Sequence, residues 1–187
     1  MSIEYLSRAL TSTRSVLATV QPGQLHAPTP CVSWDVRALI DHFVGTIRWW
    51  ASVIAANEDL PVGDADTEDR VANYDTNIAV ALEAFGSDGA LERTVELPFG
   101  ELPGTVVLGL AAIEQFAHGW DLAQATGQST DLDRTLAEDL LVLARQAILE
   151  EYRGPNEVAL FGPIVDPPKG AGPADRLAAV SVSRRIG

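Results

Sequence analysis

Glu114 and His118 stand four residues apart in the stretch IEQFAHGWDLAQATG, Ile113–Gly127. On a helix, at about 100° per residue, they point within roughly 40° of each other, one turn apart. A carboxylate oxygen and an imidazole nitrogen on one helix face are the beginnings of a site for a divalent cation. The surroundings are apolar on nearly every side: Val106, Val107, Leu108, Leu110, Ala111, Ala112 and Ile113 before the pair, and Phe116, Ala117, Trp120, Leu122 and Ala123 around it. A helix that is apolar all round is a buried helix. A buried carboxylate is costly unless a positive or hydrogen-bonding group meets it, and neither Lys nor Arg occurs between Thr105 and Asp133. Three things could meet Glu114: a distant Arg, a proton of its own, or a cation held jointly with His118.

The chain has three histidines, His26, His42 and His118. His26 sits in the Pro-rich loop HAPTPCVS and reads as a surface or loop-packing residue. His42 shares a helical flank with Ala38, Gly45, Thr46 and Trp49, so it faces an apolar surface that another helix can cover. Taken singly, His42 and His118 read as hydrogen-bonded core histidines. Two facing helices that bring His42, Glu114 and His118 to one point make a three-ligand set. Two neutral imidazoles and one carboxylate suit Zn²⁺, Ni²⁺ or Fe²⁺ and leave one or more coordination positions open. The E-x-x-x-H spacing alone is common by chance, so burial without a basic neighbour carries most of this reading. Asp121, three residues after His118, either accepts the second ring N–H of a ligating histidine, fixing its tautomer, or bonds a backbone N–H or a loop from outside the helix. Trp34, Trp49, Trp50 and Trp120 either line a pocket or fill the core. The single cysteine, Cys31, excludes an intrachain disulfide and multi-cysteine zinc sites, and lies in a loop well before the site in sequence. No phosphate-binding glycine loop, Ser-His-Asp signature or Cys-His nucleophile pair is evident.

The elements that must position these residues are helices. The first runs from Ser2 as N-cap to about Val20, with Ile3, Leu6, Leu10, Leu17 and Val20 on one stripe. The second, from an N-cap at Ser33 with Asp35 in its first turn to about Ala56, carries Val36, Leu39, Ile40, Phe43, Val44, Ile47, Ala51 and Ile54 toward a core. An acidic loop over residues 57–69 precedes a third helix from about Thr67 to Phe85. A short β-like run, Arg93–Leu97, comes before the fourth helix, which starts near Pro103-Gly104 and contains Glu114 and His118. A fifth spans about Asp133–Tyr152, and a Pro/Gly-rich tail follows, helical at most over Ala174–Val180. These are an all-α helix bundle over about residues 1–153, with a packed tail over about 154–187, in one domain of 187 residues.

Composition narrows the partners. Thirteen basic against 26 acidic residues give a net charge of −13, a poor surface for nucleic acid or anionic membrane. Apolar stretches such as Val106–Ile113 are far shorter than the ~20 residues of a membrane span. The N-terminus, with Glu4 and Arg8, has no secretory signal pattern, and the expected location is the cytoplasm.

Three passages, TPCVSWDVRALIDHFVG, LPFGELPG and HGWDLAQATG, together with the tail FGPIVDPPKGAGPADRLAAV, resemble the DinB-like superfamily of metal-binding four-helix bundles. The resemblance is to the actinobacterial branch similar to the N-terminal metal-binding domain of mycothiol-dependent maleylpyruvate isomerase. It implies that the family's metal histidine on the second helix falls on His42 and its later Glu and His on Glu114 and His118. It further implies a bound zinc or related ion that activates a low-molecular-weight thiol, mycothiol in an actinobacterial setting, toward an electrophilic substrate. The isomerase carries a separate C-terminal domain that this chain is expected to lack. Two functions are therefore weighed: a metal-dependent thiol transferase or isomerase, and a non-catalytic metal- or ligand-binding bundle acting through a partner or as a homodimer.

Overall fold

A computed structural model describes residues 2–31, 34–56, 69–97, 100–154, 161–167 and 169–181. Four helices, α1 (Ile3–Leu17), α2 (Val36–Ala55), α3 (Arg70–Gly86) and α4 (Gly104–Thr126), close into a bundle. α1 packs against α4 and α3, and α2 packs against the same two, so each helix has two neighbours and the core lies between all four. Leu6, Leu10, Phe43, Ile47, Tyr74, Phe85, Leu108 and Phe116 fill it and are excluded from water. Two further helices, α5 (Arg134–Ala147) and α6 (Pro173–Val180), cover the outside of α4, with α6 resting mainly on α5. This second layer is why α4 is buried on almost every face, as its composition requires.

The helix boundaries follow side-chain chemistry. α2 starts at Val36 because the Asp35 carboxylate accepts the Ala38 N–H at 2.9 Å. The expected cap, Ser33, lies outside the described residues. Asp69 caps α3 in the same way, so that helix begins at Arg70, and the expected start at Thr67 also lies outside the described residues. The single helix expected over Asp133–Tyr152 divides: α5 stops at Ala147, Ile148 leaves helical geometry with ψ 86° and turns into the core, and a separate turn forms over Glu150–Tyr152. α4 ends where Gly127 adopts φ +70°, the left-handed position that closes a helix.

Before α4 there are two strands rather than one. β1 (Thr94–Leu97) pairs antiparallel with β2 (Gly100–Pro103), Thr94 opposite Pro103 and Leu97 opposite Gly100. Val95 and Leu97 point inward, which gave β1 its sequence signal. β2 reads GELP, with one apolar side chain and a proline at its end, and has no alternation to recognise. Among the described residues no helix is long and apolar enough to cross a membrane.

Candidate metal centre

α2 and α4 lie side by side, and their facing surfaces bring His42 to Glu114 and His118. Glu114 Oε1 is 3.4 Å from His42 Nε2 and 3.6 Å from His118 Nε2. The ligand atoms of the three residues all lie within 4.8 Å of one another. Two ligands of a tetrahedral ion with bonds of about 2.1 Å are about 3.4 Å apart, so the trio is spaced to share one ion. Glu114 Oε1 and His118 Nε2 are both buried and without a hydrogen-bond partner. Buried polar atoms in folded proteins are nearly always satisfied, and two that face each other mark a place for something between them.

The remaining atoms of these side chains are held. Glu114 Oε2 accepts the Gln115 side-chain amide at 3.0 Å and the Trp50 indole N–H at 3.3 Å, which turns Oε1 toward the histidines. Gln115 is itself fixed: its amide also donates to the Phe43 carbonyl at 3.0 Å, and its oxygen accepts the Tyr74 hydroxyl at 2.6 Å. Asp121 Oδ2 lies 3.2 Å from His118 Nδ1. A carboxylate there makes Nδ1 the protonated nitrogen and leaves Nε2 to face Glu114. The Trp34 ring tilts over His42, centroids 4.3 Å apart. His118 is fully buried while a third of the His42 side chain is exposed, so the trio is reached from the His42 side.

The electrostatics favour a cation. Burial by itself raises the Glu114 carboxyl, but His42 and His118, with the Gln115 amide, outweigh it and hold the group below its ordinary value. Burial lowers the His118 imidazole, yet the Asp121 hydrogen bond and the charges of Glu114 and Asp121 raise it above the ordinary histidine value. The negative charges of Glu114 and Asp121 that act on His118 would act in the same direction on a divalent ion placed between the three side chains.

The other sequence candidates separate. Trp34 and Trp50 stand at the site, and Trp49 lies against Trp50 with ring centroids 4.6 Å apart. Trp120 does not reach it: its indole donates to Asp175 Oδ1 at 2.9 Å and fastens α6 to α4. His26 is an exposed loop residue beside Asp35. Cys31 is nearer than its place in sequence indicates, because the loop before α2 folds over α4 and the thiol donates to Asp121 Oδ2 at 3.2 Å. Its burial and the adjacent Asp121 charge push the thiol well up. Gln115 had a visible signal, an amide next to a buried carboxylate on an apolar helix. Cys31 had none, since only the path of the loop brings it in.

The family model described as mycothiol maleylpyruvate isomerase N-terminal domain matches residues 6–123, a span that holds His42, Glu114, His118 and Asp121. Two uncharacterised proteins of Mycobacterium tuberculosis, from two strains, are each 40% identical to this chain over 179 residues, covering 92% of it and 92% of the relative. No solved structure matches the chain. The match over more than half of its length, on a helical bundle with a small hairpin before α4, makes the chain a member of the mycothiol maleylpyruvate isomerase N-terminal domain family.

Proposed function

We propose that His42, Glu114 and His118 hold one divalent metal ion, Zn²⁺ first with Ni²⁺ or Fe²⁺ as competitors, in a metal-dependent thiol transferase or isomerase. The observation that carries the reading is the pair of buried atoms without an assigned hydrogen bond, Glu114 Oε1 and His118 Nε2, 3.6 Å apart. An unsatisfied buried polar group costs about 1–3 kcal/mol, and one shared cation removes the cost of both. When bound with a position open, such an ion stabilises a coordinated thiol as the thiolate near neutral pH. The chain does the positioning. Asp121 keeps a proton on His118 Nδ1, Gln115 and Trp50 turn Glu114 Oε1 inward, and Trp34 roofs the His42 side. The Cys31 thiol donates to Asp121 Oδ2, and the reading takes its reacting thiol from a small molecule. The family description makes mycothiol the first to try, with an electrophilic acceptor as second substrate.

Elemental analysis of purified protein is expected to give about one ion per chain, and His118→Ala to abolish it. Full occupancy in both His42→Ala and His118→Ala overturns the site. In the Co²⁺-substituted protein, added thiol is expected to give an ultraviolet thiolate-to-metal band. Metal without that band turns the reading to a non-catalytic metal-binding bundle.

A further inference from the structure

Glu114 has two carboxylate oxygens, and the fold uses them differently. Oε1 faces the histidines, 3.4 Å from His42 Nε2 and 3.6 Å from His118 Nε2. Oε2 points away from them and accepts two hydrogen bonds, from the Gln115 amide at 3.0 Å and from the Trp50 indole at 3.3 Å. An ionised carboxylate has about four lone-pair sites, about two on each oxygen. Oε2 therefore has its full complement of donors, while Oε1 is buried with none assigned.

Neither donor can change its role. An indole N–H only donates. The Gln115 side chain is excluded from water and engaged at both ends. Its nitrogen meets two acceptors, Glu114 Oε2 and the Phe43 carbonyl, and its oxygen accepts the Tyr74 hydroxyl at 2.6 Å. Turning the amide over would set its oxygen against both acceptors, so the network itself assigns the orientation. Burial, and after it the Glu114 charge, push the Tyr74 phenol well up, which keeps that hydroxyl a donor. One carboxylate oxygen is thus held from three helices, by Trp50 of α2, by Gln115 of α4 and, behind Gln115, by Tyr74 of α3. What this decides is how many oxygens Glu114 can give to an ion. Turning both toward the histidines would leave an amide N–H and an indole N–H buried and unpaired, which is costly. Ions of high coordination number that prefer oxygen, such as Mn²⁺, gain from a carboxylate that binds through both atoms, whereas Zn²⁺ is served by few ligands.

We propose that Gln115 and Trp50 are positioning residues that set the metal preference of this centre: they restrict Glu114 to one ligating oxygen and so favour a four-coordinate ion, with a position left for a small ligand, over Mn²⁺. The inference rests on the metal reading and adds to it the basis of selectivity. The test uses the full chain and substitutions that leave His42, Glu114 and His118 in place. Trp50→Phe keeps an aromatic ring and removes the donor. Gln115→Met combined with Tyr74→Phe removes the amide without stranding the buried hydroxyl. Zn²⁺ and Mn²⁺ affinities are measured by competition with a chromophoric chelator. The Co²⁺-loaded proteins are compared by visible absorption, which is intense for four-coordinate Co²⁺ and weak for six-coordinate. The parent is expected to show the intense spectrum. In the variants the intensity should fall, and the preference for Zn²⁺ over Mn²⁺ should drop by roughly tenfold or more. Lost packing alone would weaken both ions together and leave their ratio and the spectrum as in the parent; that result overturns the proposal. A weak, six-coordinate spectrum in the parent overturns it too, and leaves the metal site standing. A parent that takes up no ion removes the metal reading itself, and this inference with it. If the double variant does not fold, Trp50→Phe decides alone.

Discussion

Asp121 is the residue on which the candidate centre turns, because one oxygen, Oδ2, faces both His118 Nδ1 and the Cys31 thiol. On the proposed metal reading its carboxylate would fix which nitrogen of His118 carries the proton, and so which one would be offered to a metal. Asp121→Asn keeps the shape and removes the charge. Metal affinity, measured against a chromophoric chelator, is expected to fall by roughly 10–100-fold, with the melting temperature of the chelator-treated protein little changed. Parent-like titration of Asp121→Asn would mean that His118 is oriented by packing alone. Of the alternatives considered for Asp121, a bond to a backbone N–H is not among its contacts with the described residues, while a bond to a loop from outside the helix is present in the Cys31 thiol, alongside the contact with His118.

Among the elements, α1 and α4 approach closely at Gly119. A Cβ on Gly119 would lie 3.1 Å from the Thr13 Cα and collide with the Thr13 hydroxyl. That hydroxyl is committed, donating to the Gln115 carbonyl at 2.7 Å. Gly119 follows His118 directly, so the glycine that lets α1 approach also sets the depth at which His118 sits. Gly119→Ala is expected to destabilise the fold by about 1–3 kcal/mol, the usual cost of overpacking, read from the urea midpoint. Metal affinity should drop with it, since α4 must shift away from α1. An unchanged midpoint would show that Thr13 rotates aside without cost.

For the whole molecule, one ion pair from α1 joins the two layers and another fastens α1 to α3 within the bundle. Arg8 holds Asp133 through Nε at 3.0 Å and Nη2 at 2.7 Å, linking α1 to the cap of α5, and Arg14 holds Asp75 of α3. Burial tends to raise the Asp133 carboxyl, but the Arg8 guanidinium and the Leu136 N–H outweigh it and hold the group below the usual carboxylate value. A carboxyl whose value is lower folded than unfolded binds fewer protons in the folded state. Its contribution is full above the unfolded value of about 4 and is lost as pH falls through the folded one. The melting temperature of chelator-treated protein should therefore fall in acid, and Asp133→Asn should be less stable near neutrality with a flatter acid limb. Parallel pH profiles for the two proteins would show that the pair adds nothing, a frequent outcome for half-exposed pairs.

What depends on neighbours along the chain was legible in the order of the residues. Periodicity gave the helices, and the four-residue spacing of Glu114 and His118 gave their shared face, because rise and turn within a helix are fixed by the backbone. The lack of Lys or Arg between Thr105 and Asp133 already made the Glu114 carboxylate conspicuous. Tertiary structure decided what depends on which helix packs against which. His42 meets Glu114 because α2 lies beside α4, and Cys31 reaches Asp121 across 90 residues because of the path of one loop. β2 exists because β1 gives it a partner, not because GELP favours a strand. Such contacts are settled by the whole core filling its volume at once, and no local pattern in the sequence encodes that sum.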